Sequence, residues 1–164
     1  MAVDMFMKIK GTDKEIDGES QDDKHKKEID VLSWSWGMSQ SGDAHVGGGG
    51  GSGKVSVQDL TFTKYVDSAS HALILACCSG EHLPEATLVV RKAGKTPLEY
   101  IKLTLNEVIV SSISKGGSGN DDRLTENVTL NFAKFKYEYT PQKADGSGDA
   151  PKTAGWDIPA NKKV

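Results

Sequence analysis

Apolar and polar side chains alternate with a period of two along most of this chain, and at several points the alternation slips by one residue. A period of two places successive side chains on opposite faces of a strand. A slip would carry the apolar set to the wrong face unless one extra residue, a β-bulge, absorbs it. Val3, Met5, Met7 and Ile9 alternate with Asp4 and Lys8, and only Phe6 interrupts the polar face. Between Glu28 and Gly37, Ile29 and Val31 share one phase, whereas Trp34 and Trp36 share the other, opposite Ser33, Ser35 and Gly37. The same change separates Val55 and Val57 from Leu60 and Phe62, which predicts a second bulge near Gln58.

Further strands are expected over Glu85 to Lys92, Leu98 to Ser114 and Leu124 to Tyr139, with a short last one around Trp156 and Ile158 before a frayed tail. The third of these changes phase between Phe132 and Phe135. A single helix is expected between Ser68 and Ser79. Ser68 or Ser70 can cap it, Ala72, Leu73, Ala76 and Cys77 share one face, and Gly80 ends it. Seven or so strands, one helix and repeated bulges describe a mainly β chain, an antiparallel barrel or sandwich. With 164 residues, one domain over 1–164 is expected. Hydrophobic residues are only 37% and glycines number 18, which suits thin sheets and long loops rather than a thick helical core. The charged segment from Gly11 to Lys27 offers no expected core position.

A net charge of -3 argues against the basic surface that nucleic-acid binding needs. No apolar run approaches the roughly 20 residues that cross a bilayer, so membrane insertion is not expected. The N-terminal MAVDMFMKIK lacks the features of a signal peptide. The expectation is synthesis in the cytoplasm, with any export taking a route that needs no such signal.

GGGGSGK at Gly48 to Lys54 fills seven positions of a phosphate-binding loop, but the eighth is Val55, without the hydroxyl that binds Mg²⁺. A strand follows where that loop requires a helix. His25, His45, His71 and His82 lack ligand spacing, and Cys77 and Cys78 are adjacent, poorly placed to bond each other and without a zinc partner. The cysteines read as small buried residues, a redox pair being the alternative. No nucleophile elbow occurs. Neither a catalytic residue, a metal nor a cofactor is expected.

The connection made by Ser39, Gln40, Ser41, Gly42, Asp43, Ala44, His45, Val46, Gly47, Gly48, Gly49, Gly50, Gly51, Ser52 and Gly53 is far longer than a hairpin needs. Out and back, it could reach about 25 Å, beyond the roughly 15 Å radius of gyration of such a chain. It is either a flexible connection without a role or an arm that orders against another molecule. Trp34 and Trp36 are core anchors or interface aromatics, and the small residues opposite them suit a lumen or a shallow docking surface.

EIDVLSWSWGMSQSG, the glycine run, GKVSVQDLTFTKYVD, ACCSGEHLPEATLVVRKAG, GGSGNDDRLTENVTLNFA and PQKADG together resemble the hemolysin-coregulated protein family, Hcp, the tube subunits of bacterial type VI secretion systems. The resemblance covers essentially the whole chain. It implies a bulged antiparallel β-barrel with one α-helix and a long glycine-rich extended loop. It further implies homohexameric rings stacked into a tube inside a contractile sheath, capped by a spike and expelled from the cell with effector proteins in its lumen. On this basis residues 39–53 would be the arm between subunits, and Ser33 and Ser35 would face the lumen, Ser35 foremost. The competing reading is a monomeric β-barrel that binds a small ligand.

Overall fold

The computed structural model describes residues 2–42 and 53–164. Asp43 to Ser52, most of the glycine-rich connection, therefore lies outside the described residues. The described chain forms strands β1 (Val3–Lys10), β2 (Glu15–Ile16), β3 (Ile29–Ser35), β4 (Met38–Ser39), β5 (Ser56–Val57) and β6 (Leu60–Tyr65). Helix α1 (Ser70–Ser79) follows, then β7 (Leu83–Lys92), β8 (Leu98–Lys115), β9 (Thr125–Tyr139), β10 (Lys152–Asp157) and β11 (Lys162–Lys163). β1, β3, β6, β9, β8 and β7 pair in that order and close on β1, which makes a six-stranded antiparallel barrel. β10 and β11 extend it from the far half of β9.

The phase slips do what a bulge requires. Val31 pairs with Lys64 and Ser33 with Thr63, so Leu32 is the extra residue, and it is exposed. Leu60 and Phe62 carry the core on β6. The second expected bulge, near Gln58, is instead a break. Val57 belongs to the separate β4–β5 ribbon, Leu60 opens a barrel strand, and Gln58 N–H donates to Gly37 O between them. On β8 and β9 the buried set changes phase at the same level, Leu105 to Val108 opposite Phe135 to Phe132. Glu107 takes up that change with φ 54. Met7, Ile9, Leu60, Phe62, Leu88, Leu105 and Leu130 fill the barrel with no exposure.

The helix starts later than expected, with Ala69 as its cap and no side-chain cap bond. Ser70 Oγ is turned inward to Glu126, and Asp67 Oδ1 accepts the Ala69 N–H instead. Gly80 ends it at φ 66. Leu73 and Ala76 are buried, but Cys77 is only half-buried and Cys78 is exposed, because the inward stripe passes through residues 70, 73 and 76. The expectation of two buried cysteines is corrected accordingly. The tail is corrected too, since Lys162 and Lys163 pair with Asp157 and Trp156.

The segment from Gly11 to Lys27 also departs from expectation. Ile16 packs against the core, and Ser20 and His25 are buried. The segment lies so close to β3 that a Cβ at Gly18 would fall 2.6 Å from Glu28 O. Charge holds it there. Arg91 donates to both carboxylate oxygens of Asp22, at 3.0 and 2.5 Å, and to Asp4 at 3.1 Å. The hydrogen bond from Arg91 lowers the Asp22 pKa to about 2 from 3.8.

An Asp22→Asn variant is expected to lose about 1–2 kcal/mol of stability at pH 7. The folded pKa lies below the unfolded one, so the stabilisation is full above 3.8 and disappears as pH falls through about 2. Urea midpoints of the two proteins should therefore converge in acid. A gap that stays constant from pH 7 to pH 2 would show that the ion pair is not its source.

Candidate functional site

The two bulges on either side of the β6–β9 pair decide what the outer face of the barrel presents. Without the extra Leu32, Ser33 would point inward with Val31. With it, Trp34 points inward opposite Phe62 while Ser33 and Ser35 point out. On β8, Val110 pairs with Leu130 and Ser112 with Thr129, so Ser111 is the extra residue. That bulge turns Ser112 and Ser114 outward in the same way, and Ser111 Oγ donates to Asp59 Oδ2 at 2.9 Å.

Two rows of small polar side chains result. One runs Ser33, Thr63, Asn127, Ser114, and the other Ser35, Thr61, Thr129, Ser112, each residue paired to the next across adjacent strands. Thr63 Oγ1 donates to Asn127 Oδ1 at 2.6 Å, and the Thr61 and Thr129 hydroxyls lie 3.2 Å apart. None of the eight ionises. Among the charged residues at the ends of the face are Asp59, which accepts from Ser111 and from Asn131 Nδ2, and Arg123, stacked 3.7 Å over the Tyr65 ring. Sequence reasoning singled out Ser33 and Ser35 and passed over the six residues that lie beside them. The signal was present on β6, where Thr61 and Thr63 alternate with Leu60 and Phe62.

The strands that bound this face are each paired on one side only among the described residues. β3 pairs with β1 at Ile29 and Asp30, then with β6 alone over residues 31–35. β7 leaves β8 at Val108, so residues 109–115 pair only with β9. Two unpaired strand edges thus flank a four-stranded wall, the form in which a strand accepts another chain.

Beneath the wall, Lys64, Glu126, Ser70 and Asp67 join β6 and β9 to α1. Lys64 and Glu126 have no exposed side-chain surface. Lys64 bonds Glu126 and lies 2.8 Å from Asp67, while Lys115 lies 2.7 Å from the second Glu126 oxygen. Burial pushes the Glu126 carboxyl up, but hydrogen bonds from Lys115, Lys64 and Ser70 outweigh it and hold it below its ordinary value. Among the described residues no cluster of three or more potential ligands could hold a metal, and no helix is long and apolar enough to cross a membrane.

Of the expected inter-subunit loop, Ser39 is a strand residue paired to Ser56, and Gln40, Ser41, Gly42 and Gly53 are exposed. The described residues that precede and follow the connection thus pair as a two-stranded ribbon. Trp34 and Trp36 are half-buried and pack against the core, with Trp36 edge-on to Phe135 at 4.9 Å.

The family model described as "Type VI secretion system effector, Hcp" matches residues 6–139. "Protein hcp1" of Pseudomonas aeruginosa is 62% identical over 163 residues, covering 98% of each chain. Among solved structures, Hcp1 from Salmonella typhimurium is 46% identical with a TM-score of 0.81, covering 100% of both chains. A type VI secretion system effector from Yersinia pestis is 34% identical with a TM-score of 0.76, covering 94% of this chain and 100% of the other.

Proposed function

The chain belongs to the Hcp family of type VI secretion system proteins, and on that premise we propose that it is a tube subunit without catalytic activity of its own. Six copies close a ring, rings stack, and the lumen shelters effector proteins until a sheath expels the tube behind its spike. The observation that carries this reading is the uncharged eight-residue wall between two unpaired strand edges. Adding the β3 edge of one copy to the β8 edge of the next is a head-to-tail contact, which closes when its rotation permits. Repeated around a ring, it turns the hydroxyl rows toward a common axis. A neutral, low-relief wall hydrogen-bonds to cargo without binding one charge type strongly. The small-ligand reading fares worse, because the barrel interior is already filled by side chains.

Light scattering after size exclusion should give six times the 17.6 kDa chain mass, and micrographs should show annular particles. A chain that stays single at high concentration with no annuli would end the proposal. Within rings, Ser35→Trp should leave ring mass unchanged, since Ser35 is exposed and faces away from the core. It should sharply reduce the effector that co-purifies from cells making both. Undiminished co-purification would remove Ser35 from the lumen wall.

A further inference from the structure

Helix α1 carries no Asp, Glu, Lys or Arg between Ser70 and Ser79. Its buried stripe, Ser70, Leu73 and Ala76, packs beneath the hydroxyl wall, where Ser70 Oγ donates to Glu126. The opposite stripe is apolar too. Ile74 is 36% exposed and Leu75 65%, more than any other large apolar side chain among the described residues. A helix that is apolar on both stripes needs cover on both, and within the described chain only one has it.

Beside Leu75, between α1 and the β1–β2 hairpin, lies an open cavity of about 470 Å³. Ile16, Ala72 and Leu75 form its apolar lining. Around them stand the carboxylates of Asp13, Glu15, Asp17 and Glu81, against the ammonium of Lys14, with His71 the remaining titratable side chain. Glu15 lies 3.4 Å from Lys8, an exposed pair that water screens, so the rim keeps its acidic balance. The hairpin side of the cavity is fixed in place. Gly11 N–H donates to Lys14 O at 2.9 Å, and Thr12 Oγ1 donates to Glu81 Oε1 at 2.8 Å. A preformed groove with an apolar floor and an acidic rim complements one kind of surface. We propose that it docks a basic segment of a second protein, which seats an apolar side chain against Leu75 and sets lysine or arginine beside Asp13, Asp17 and Glu81. The groove lies on the stripe of α1 that faces away from the hydroxyl wall, so this contact is separate from the holding of cargo and goes beyond the tube-subunit reading.

The probe is a short fluorescent peptide helix with leucines along one face and lysines flanking them, titrated into the unmodified chain and followed by anisotropy. It should bind more weakly as salt rises, and the same helix with glutamates in place of the lysines should not bind. Leu75→Ser should weaken binding about tenfold. Asp13→Asn with Asp17→Asn should weaken it about fivefold at low salt, a difference that closes at high salt. All three residues are exposed, so circular dichroism and particle mass should match the parent. No binding by the unmodified chain, equal binding of the two peptides, or equal affinity of Leu75→Ser and the parent would overturn the proposal. A fall in particle mass with Leu75→Ser would overturn it as well, by making a second copy of this chain the occupant of the groove.

Discussion

A Glu126→Ala variant is expected to lose about 2–3 kcal/mol of folding stability, the cost of removing charge-assisted hydrogen bonds from a buried ammonium that keeps Asp67 as its counter-charge. Lys64 has no exposed side-chain surface, and removing Glu126 would leave it with Asp67, the Ser70 hydroxyl and the Tyr65 carbonyl. The ammonium cannot reach water without opening the barrel beneath α1. A double variant, Lys64→Met with Glu126→Leu, should recover part of the loss, because the apolar pair carries no desolvation cost of its own while Asp67 is left without its lysine. Urea midpoints of the wild type, both single variants and the double variant form the cycle that checks this. If the double variant is as unstable as the singles added together, charge desolvation is not the source of the effect. Acid should also narrow the gap. The Glu126 pKa is held below its ordinary value, so its stabilisation is present above the ordinary carboxylate range and is lost as pH falls through its own lower value.

Those residues show why periodicity revealed the strands but not all of the interior. Lys64 and Glu126 sit in phase with Phe62 and Val128, so their inward direction was implied by alternation. Their charge made them look like surface residues, since an isolated buried ion is prohibitively costly. Only the pairing of β6 with β9 brings the two together, across 62 residues of sequence. The bulges were legible where one apolar phase replaced another, as at Val31 and Trp34. The bulge at Ser111 was not, because the serines on both sides of it carry no phase information.

The same distinction governs the hydroxyl wall. Ser33 and Ser35 stood out because they alternate with two tryptophans, whereas Thr61, Thr129 and Ser114 are common strand residues that gain meaning only from lying side by side. Registers between distant strands are set by the closed barrel, not by local spacing. The ribbon base of the long connection was hidden for a related reason: Met38 and Ser39 pair with Val57 and Ser56 over two residues only, too few to establish a period.

His25 was hardest to read, since it lies in a segment whose composition is that of a solvated loop. Its ring stacks on Phe6 with centroids 4.3 Å apart and planes 10° from parallel. Nδ1 lies 2.5 Å from Glu28 Oε2, and Nε2 lies 2.6 Å from Glu99 Oε1. The ring thus bridges the two carboxylates, one nitrogen to each. His25→Ala should therefore cost about 2–4 kcal/mol, combining a charge-assisted bond to the nearly buried Glu28 with the cavity left on Phe6. Glu99→Gln should cost well under about 1 kcal/mol, because Glu99 is 41% exposed and water screens it. The loss should be visible locally as well. Lys24, Lys26 and Lys27 flank the clasp closely in sequence, so limited trypsin digestion should cut His25→Ala within this segment while the wild type resists. Equal costs for the two substitutions, or unchanged resistance to trypsin, would mean that the imidazole is a passenger and that Arg91 with Asp22 alone secures the segment.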